Sequence, residues 1–208
     1  MKMTDDFAFF WGKSDALSNW HSSPFDYKGG TFANVEQFMM FCKARLFNDT
    51  ESAKAIYQTR DPHRCKELGR QVTGFDDATW TQKREAIVSV GLREKFLQNP
   101  ELLKDLLKTG NRQLVEASPY DKIWGIGLNA NHPHAQDPAH WRGENLLGKT
   151  MTNVRDYLVN GCIQQTLPTQ AQATVENALD ELGFDFRADR AATVGREQEA
   201  TASAPAPG

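Results

Sequence analysis

The sequence predicts a single helix-rich domain of the α+β class with a few short strands, on three observations. Its first 33 residues are rich in aromatics, Gly, Ser and Pro without a helical period. From Asn34 onwards the apolar residues recur at 3.6-residue spacing, in segments that open on capping residues. One later stretch, "RQLVEA" (112–117), has the character of a short strand. At 208 residues the chain is long enough for one domain with a substantial core.

In order, "FAFFWGKSDALSNWHSSPFDYKGGTF" reads as short strands and turns, and "DYKGGTF" within it as a hairpin. "NVEQFMMFCKARLF" (34–47) is the first helix. Asn34 caps it and Gln37 reaches back three residues in a capping box, while Val35, Phe38, Met39, Cys42 and Leu46 form a narrow apolar sector. Two short helices follow, each starting at an aspartate, "DTESAKAIYQT" (49–59) and "DPHRCKELGRQV" (61–72), the second with Pro62 in its first position. A longer helix runs through 76–99, and "PELLKDLLKTG" is another, stopped by Gly110. After the strand comes a polar, loop-rich stretch from Ser118 to Glu144, then the amphipathic helix "NLLGKTMTNVRDYLV" (145–159). The expected divisions are a main domain over 7–160, a C-terminal helical extension over 161–187 that contains "TQAQATVENALDELG", and a disordered tail over 188–208, rich in Ala, Glu and Pro.

A formal net charge of -3 argues against a protein that holds nucleic acid by a broad basic surface and leaves room for a local basic groove. Three cysteines, Cys42, Cys65 and Cys162, are an odd number without metal-ligand spacing, which fits reduced thiols rather than a disulfide framework. The N-terminal stretch is acidic where a signal peptide needs bases, and no run of residues is apolar enough to span a membrane. A soluble, cytoplasmic protein without membrane contact is expected.

Chemistry-capable residues concentrate in a few places. Glu36 and Lys43 lie on one line of the first helix, roughly 80 to 100 degrees from the centre of the apolar sector and about 10 Å apart along the axis. A carboxylate favoured by the helix dipole and a lysine laid along apolar surface would account for them structurally; a pair of reactive groups at the rim of a buried face would account for them functionally. In "LSNW", Ser18 and Asn19 offer hydrogen bonds to ribose or phosphate, against a turn or cap, and Arg70 in "LGR" could meet a phosphate. Trp124 could stack on a heterocycle or pack in the core, with Gly125 and Gly127 beside it allowing close backbone approach. His132, His134, Asp137 and His140 are of metal-binding type, but such spacing in a Pro- and Asn-rich loop arises easily by accident, and no metal is assigned.

Taken in order, "FFWGKSDALSNWHSSPF", "VEQFMMFCKA", "LGR", "WGIG" and "GENLLGKTMTNVRDYL" resemble the NADAR family, also called the YbiA-like N-glycosidases, from about Phe9 to Leu158. The resemblance implies a YbiA-like α+β fold and hydrolysis of the bond between a ribose C1′ and an exocyclic amine of a base. It implies two substrate classes, phosphoribosylamino-pyrimidine intermediates of riboflavin synthesis and ADP-ribose attached to guanine in a nucleotide or nucleic acid, with no cofactor. It makes Glu36 and Lys43 catalytic, and Ser18, Asn19, Trp20, Arg70, Trp124, Gly125 and Asn145 substrate-binding. A glycosylamine can open to an imine, so a neutral Lys43 could displace the base amine as a Schiff base while Glu36 shuttles protons, provided that Glu36 is protonated or engaged elsewhere at the moment of attack. The rival scheme has Glu36 activate water directly, with no second carboxylate of a glycosidase pair evident. A non-catalytic reader of ADP-ribose and a purely structural module are the alternatives from other classes.

Overall fold

The computed structural model describes residues 1–164. The helix expected over 169–183 and the tail expected over 188–208 lie outside the described residues. Strands β1 (Lys2–Met3), β2 (Phe7–Phe10), β3 (Phe25–Tyr27) and β4 (Gly30–Phe32) precede five helices, α1 (Val35–Leu46), α2 (Thr50–Gln58), α3 (Pro62–Arg70), α4 (Asp77–Gln98) and α5 (Pro100–Leu107). Strand β5 (Gln113–Glu116) and helix α6 (Leu146–Gln164) complete the domain, and α6 runs past the boundary expected at residue 160.

The helix starts follow from local hydrogen bonding. Asn34 Oδ1 accepts from the Gln37 amide at 2.9 Å, and Asp49, Asp61 and Asp76 cap α2, α3 and α4 in the same manner. Gln37 differs from the expected capping box: its Oε1 accepts from the amide of Ala33, one residue before the cap, at 2.7 Å. Its Nε2 donates to Ile56, Tyr57 and Thr59 carbonyls at the end of α2, so the same side chain ties two helices together. The hairpin forms at Lys28 and Gly29, both with positive φ, the pair of conformations that a two-residue turn of type I′ requires.

Helix α1 is central. Nine of its twelve residues are buried, Glu36 among them, because it is packed by α2, α3 and α4 rather than by one neighbour. The expectation of a narrow apolar sector therefore understates how much of the helix is enclosed. Glycines make the closest approaches: a Cβ on Gly69 would lie 2.1 Å from Met40 Sδ, and one on Gly91 would lie 2.9 Å from Phe38 Cδ1. Phe38 in turn meets Phe25, Tyr27 and Phe32 edge-on, which seats the hairpin on the helix.

The sheet has the order β1-β2-β5, with β1 antiparallel and β5 parallel to β2, so α1 to α5 form the crossover between the two parallel strands. Alternation sends Ala8, Phe10 and Leu114 into the main core and Phe7, Phe9 and Val115 into a second one. The stretch from Ser118 to Glu144, polar in sequence, covers that second face with Ile126, Leu128, Ala135 and Trp141. A parallel pair needs both faces covered, and among the described residues this loop supplies the cover of the second face.

Asn145 ties the loop back to the strand. Buried and at φ 53°, it accepts from the Glu116 amide at 3.0 Å and donates to the Leu114 carbonyl at 2.9 Å. Asn145→Ala is expected to lower unfolding free energy by about 1–3 kcal/mol, since it strands buried backbone groups. Chemical denaturation checks this, and a change below about 0.5 kcal/mol would count against the clasp.

Candidate functional site

The carboxyl ends of the two parallel strands and the first turn of α1 open into one cavity of about 690 Å³. Glu36, Lys43, Ser18, Asn19, Trp20, Arg70 and Trp124 all line it. Hydrogen bonds seat the "LSNW" turn among them. Asn19 O accepts the Glu36 amide at 3.1 Å, which docks the "LSNW" turn on the start of α1. Ser18 Oγ accepts from the Trp20 amide at 3.1 Å, and Ser18 O accepts from Lys95 Nζ at 2.8 Å. Lys95 is fully buried, and desolvation pulls its proton affinity down to about 7 against the pull of Asp15 and Glu116.

Glu36 is 4% exposed and its Oε1 has no hydrogen-bond partner among the described residues. Burial raises its pKa from the ordinary 4.5 to about 7, even though Lys66, Trp20 and Arg70 oppose the rise; Asp121 adds to it. Lys43 is half-buried. Its Nζ donates to Gly69 O at 2.8 Å and sits 4.2 Å from the Phe75 ring centroid and 5.6 Å from that of Trp80. Desolvation lowers its proton affinity, with Asp77 rather than Glu36 as the carboxylate that opposes the shift. The two groups thus share a cavity without Glu36 acting as the counter-ion of Lys43.

Two expected substrate-binding residues do not line the cavity. Gly125 lets the chain double back, since a Cβ there would lie 2.9 Å from Asp121 O and Ser118 Cβ. Asn145 is committed to the backbone of β5. Both build the wall behind the site. The His-rich loop also lies outside the lining: ligand-type atoms of His134, Asp137 and His140 come within 4.8 Å of one another on the exposed surface. There Asp137 caps the turn Pro138–His140 and bonds His140 Nδ1 at 2.6 Å.

Sequence reasoning missed two carboxylates. Glu116, the last residue of β5, is 8% exposed and lines the cavity, with Oε2 unpartnered among the described residues. Burial, with Asp121, Asp15 and Glu36 nearby, pushes its pKa well above the carboxylate range. Asp121 accepts from the Trp124 amide at 2.8 Å through Oδ1 and pairs with Lys66 at 3.3 Å through Oδ2, so it sets the loop that carries Trp124. The available signal was the position of Glu116 at the end of a strand, followed by the turn-forming "ASPYD".

Fold and site together define an α+β protein whose strand ends and central helix enclose a protonatable carboxyl and a desolvated amine in one cavity. The NADAR domain profile matches residues 9–159, and the chain belongs to the NADAR family. N-glycosidase R617 of Acanthamoeba polyphaga mimivirus is 42% identical over 164 residues, which cover 74% of this chain and 96% of the viral protein. N-glycosidase YbiA of Escherichia coli is 28% identical over 159 residues, covering 75% of this chain and 91% of YbiA. The NMR structure of YbiA matches with a TM-score of 0.64 and 26% identity, over 78% of this chain and 90% of that chain. A riboflavin biosynthesis protein of Vibrio vulnificus is 27% identical over 142 residues, 68% of this chain and 35% of the longer Vibrio protein.

Proposed function

We propose that the protein cleaves the bond between ribose C1′ and the exocyclic amine of a base, carried by a phosphoribosylamino-pyrimidine or by ADP-ribosylated guanine. The broader class is that of its relatives: the protein is a hydrolase acting on N-glycosyl bonds. The observation that supports the finer reading is that one cavity holds Glu36, buried with Oε1 unpartnered among the described residues, together with a half-buried Lys43 held by Gly69 O. Near neutral pH a carboxyl titrating at about 7 can hold a proton to donate, and a desolvated lysine releases its proton more readily than an exposed one.

These states suit an exocyclic glycosylamine. As its ribose ring opens, the bond from C1′ to the ring oxygen breaks, the oxygen takes the proton of Glu36, and C1′ becomes an imine carbon. The neutral Lys43 amine adds to C1′, the added nitrogen passes a proton to the base nitrogen, and the base leaves as the neutral amine. Water then hydrolyses the protonated Lys43 imine, which frees the sugar aldehyde, restores the neutral amine and returns one proton to the Glu36 carboxylate. The Gly69 carbonyl holds Lys43 Nζ in place, and the cavity wall supplies Trp20 and Trp124 for the base and Arg70 for a phosphate.

Direct attack by water is the second reading, and Glu116 favours it. The sequence offered no partner carboxylate, whereas the same cavity holds a second buried acid, Glu116, with its pKa raised by burial, and Glu36 would then act as base. Incubation with each substrate class, followed by mass spectrometry, is expected to yield the free amino base together with ribose 5-phosphate or ADP-ribose. The match to the Vibrio riboflavin protein supports the first class. Intact substrate in both incubations would remove the exocyclic-amine reading.

A further inference from the structure

The loop that covers the second core carries a cluster of side chains that the cavity does not use. From His132 to His140 the backbone turns through bonds from an amide to the carbonyl three residues before it: Ala135 to His132 at 2.9 Å, Asp137 to His134 at 3.1 Å and His140 to Asp137 at 3.0 Å. Turns of that period place side chains three residues apart on one edge, and ligand-type atoms of His134, Asp137 and His140 lie within 4.8 Å of one another. The rings of His134 and His140 are stacked, 4.3 Å apart and 15° from parallel. In sequence the spacing carries no metal assignment; what the fold adds is order. Behind the exposed edge Ala135 is buried, and Trp141 Nε1 donates to its carbonyl at 2.9 Å while the Trp141 ring meets Phe7 edge-on. At the start of the turn His132 Nδ1 accepts from the His134 amide at 3.1 Å.

A surface ion pair accounts for Asp137 and His140, whose Oδ2 and Nδ1 are 2.6 Å apart, but not for a second imidazole laid on the first. Two imidazolium rings at that distance repel, so near neutral pH at least one of them is neutral and presents an open nitrogen lone pair. Two imidazoles and a carboxylate suit zinc, whereas magnesium and calcium take oxygen ligands. Zinc holds such ligands at about 2.0–2.2 Å, which sets the ligand atoms roughly 3.3 Å apart, and small torsions of three exposed side chains close the difference from 4.8 Å. We infer that His134, Asp137 and His140 bind a divalent transition-metal ion of the zinc type, with water completing its coordination. The ion ties the two ends of the turn together and so clips the loop that shields Phe7, Phe9 and Val115. It stands outside the cavity lining, and its role is structural.

The full chain, stripped with a chelator and dialysed, is titrated with zinc chloride by calorimetry, with magnesium chloride as the control. Saturable binding of one zinc ion per chain is expected, and an equal concentration of magnesium should not displace it. Zinc at about a hundred times its Kd should raise the melting temperature by about 5 °C or more, because the ion binds only the folded loop. His134→Ala and His140→Gln should each weaken zinc binding at least about tenfold, the scale reached even by residues that only orient a ligand. Both side chains are exposed, so the metal-free melting temperature of each variant should match that of the unaltered protein, which shows that the variants fold. Two variants keep the test open if one of them fails to fold. Absence of saturable zinc binding, displacement by magnesium, or a folded variant that keeps the original affinity would overturn the site. None of these readouts depends on turnover, so the reaction proposed for the cavity stands or falls separately in the mass-spectrometric assay.

Discussion

Lys43→Ala is expected to lower turnover at least about a hundredfold, and borohydride added during turnover of the unaltered protein is expected to trap one ribose-derived adduct on Lys43. An imine is reducible to a stable secondary amine, whereas water attack assisted by a carboxylate leaves nothing on the lysine. Peptide mass spectrometry locates the adduct, which should require substrate and be absent from the alanine variant. The substrate requirement separates catalysis from slow glycation of exposed lysines. If the full-rate protein yields no adduct at any pH, the pair of Glu36 and Glu116 acting through water becomes the better account. Lys43, held by Gly69 O and flanked by Phe75 and Trp80, then keeps a binding role.

Glu36→Gln is expected to cost a similar factor in turnover, at least about a hundredfold, and to stabilise the fold at alkaline pH. The folded carboxyl titrates at about 7 against an ordinary 4.5, so between those values the folded state binds the extra proton. The stability contributed by the protonated acid is fully present below 4.5 and is lost as pH rises through about 7. Glutamine copies the neutral acid and has no proton to lose, so the melting temperature of the variant relative to wild type should rise from pH 5 to pH 8. The rate of the unaltered protein should follow a bell in pH with one limb near 7, and the limb should vanish from the residual activity of the variant. Loss of activity together with an unchanged pH dependence of stability would mark Glu36 as structural.

The first turns of α1, α2, α3 and α4 were legible because a cap is a local event. Asn34, Asp49, Asp61 and Asp76 each bond an amide two or three residues away, and no distant residue is needed to make that contact. The hairpin was legible for the same reason. Glu36, Lys43, Ser18, Asn19, Trp20, Arg70 and Trp124 were found as residue types in a familiar order, and the structure gathers them around one cavity. Gly125 and Asn145 belonged to the same motifs yet stand behind the wall, because a motif records which residues occur together and not which side of the chain faces the ligand.

By itself, then, the sequence determined the helix starts, the hairpin and the period of the core positions, and it singled out Glu36 and Lys43 as a candidate pair, all from neighbours along the chain. Only the tertiary structure decided the rest. The pairing of β2 with β5 joins Phe10 to Glu116 across the whole crossover, and the polar loop from Ser118 to Glu144 becomes the cover of the sheet only once that pair exists. The proton affinities of Glu36, Lys43 and Glu116 are shifted the same way, by what the fold packs around them. A carboxyl or an amine starts from its ordinary proton affinity, and the fold shifts it through the water the group loses and the charges brought near it; those charges sit on Asp15, α3, α4 and the loop after β5, far away in sequence.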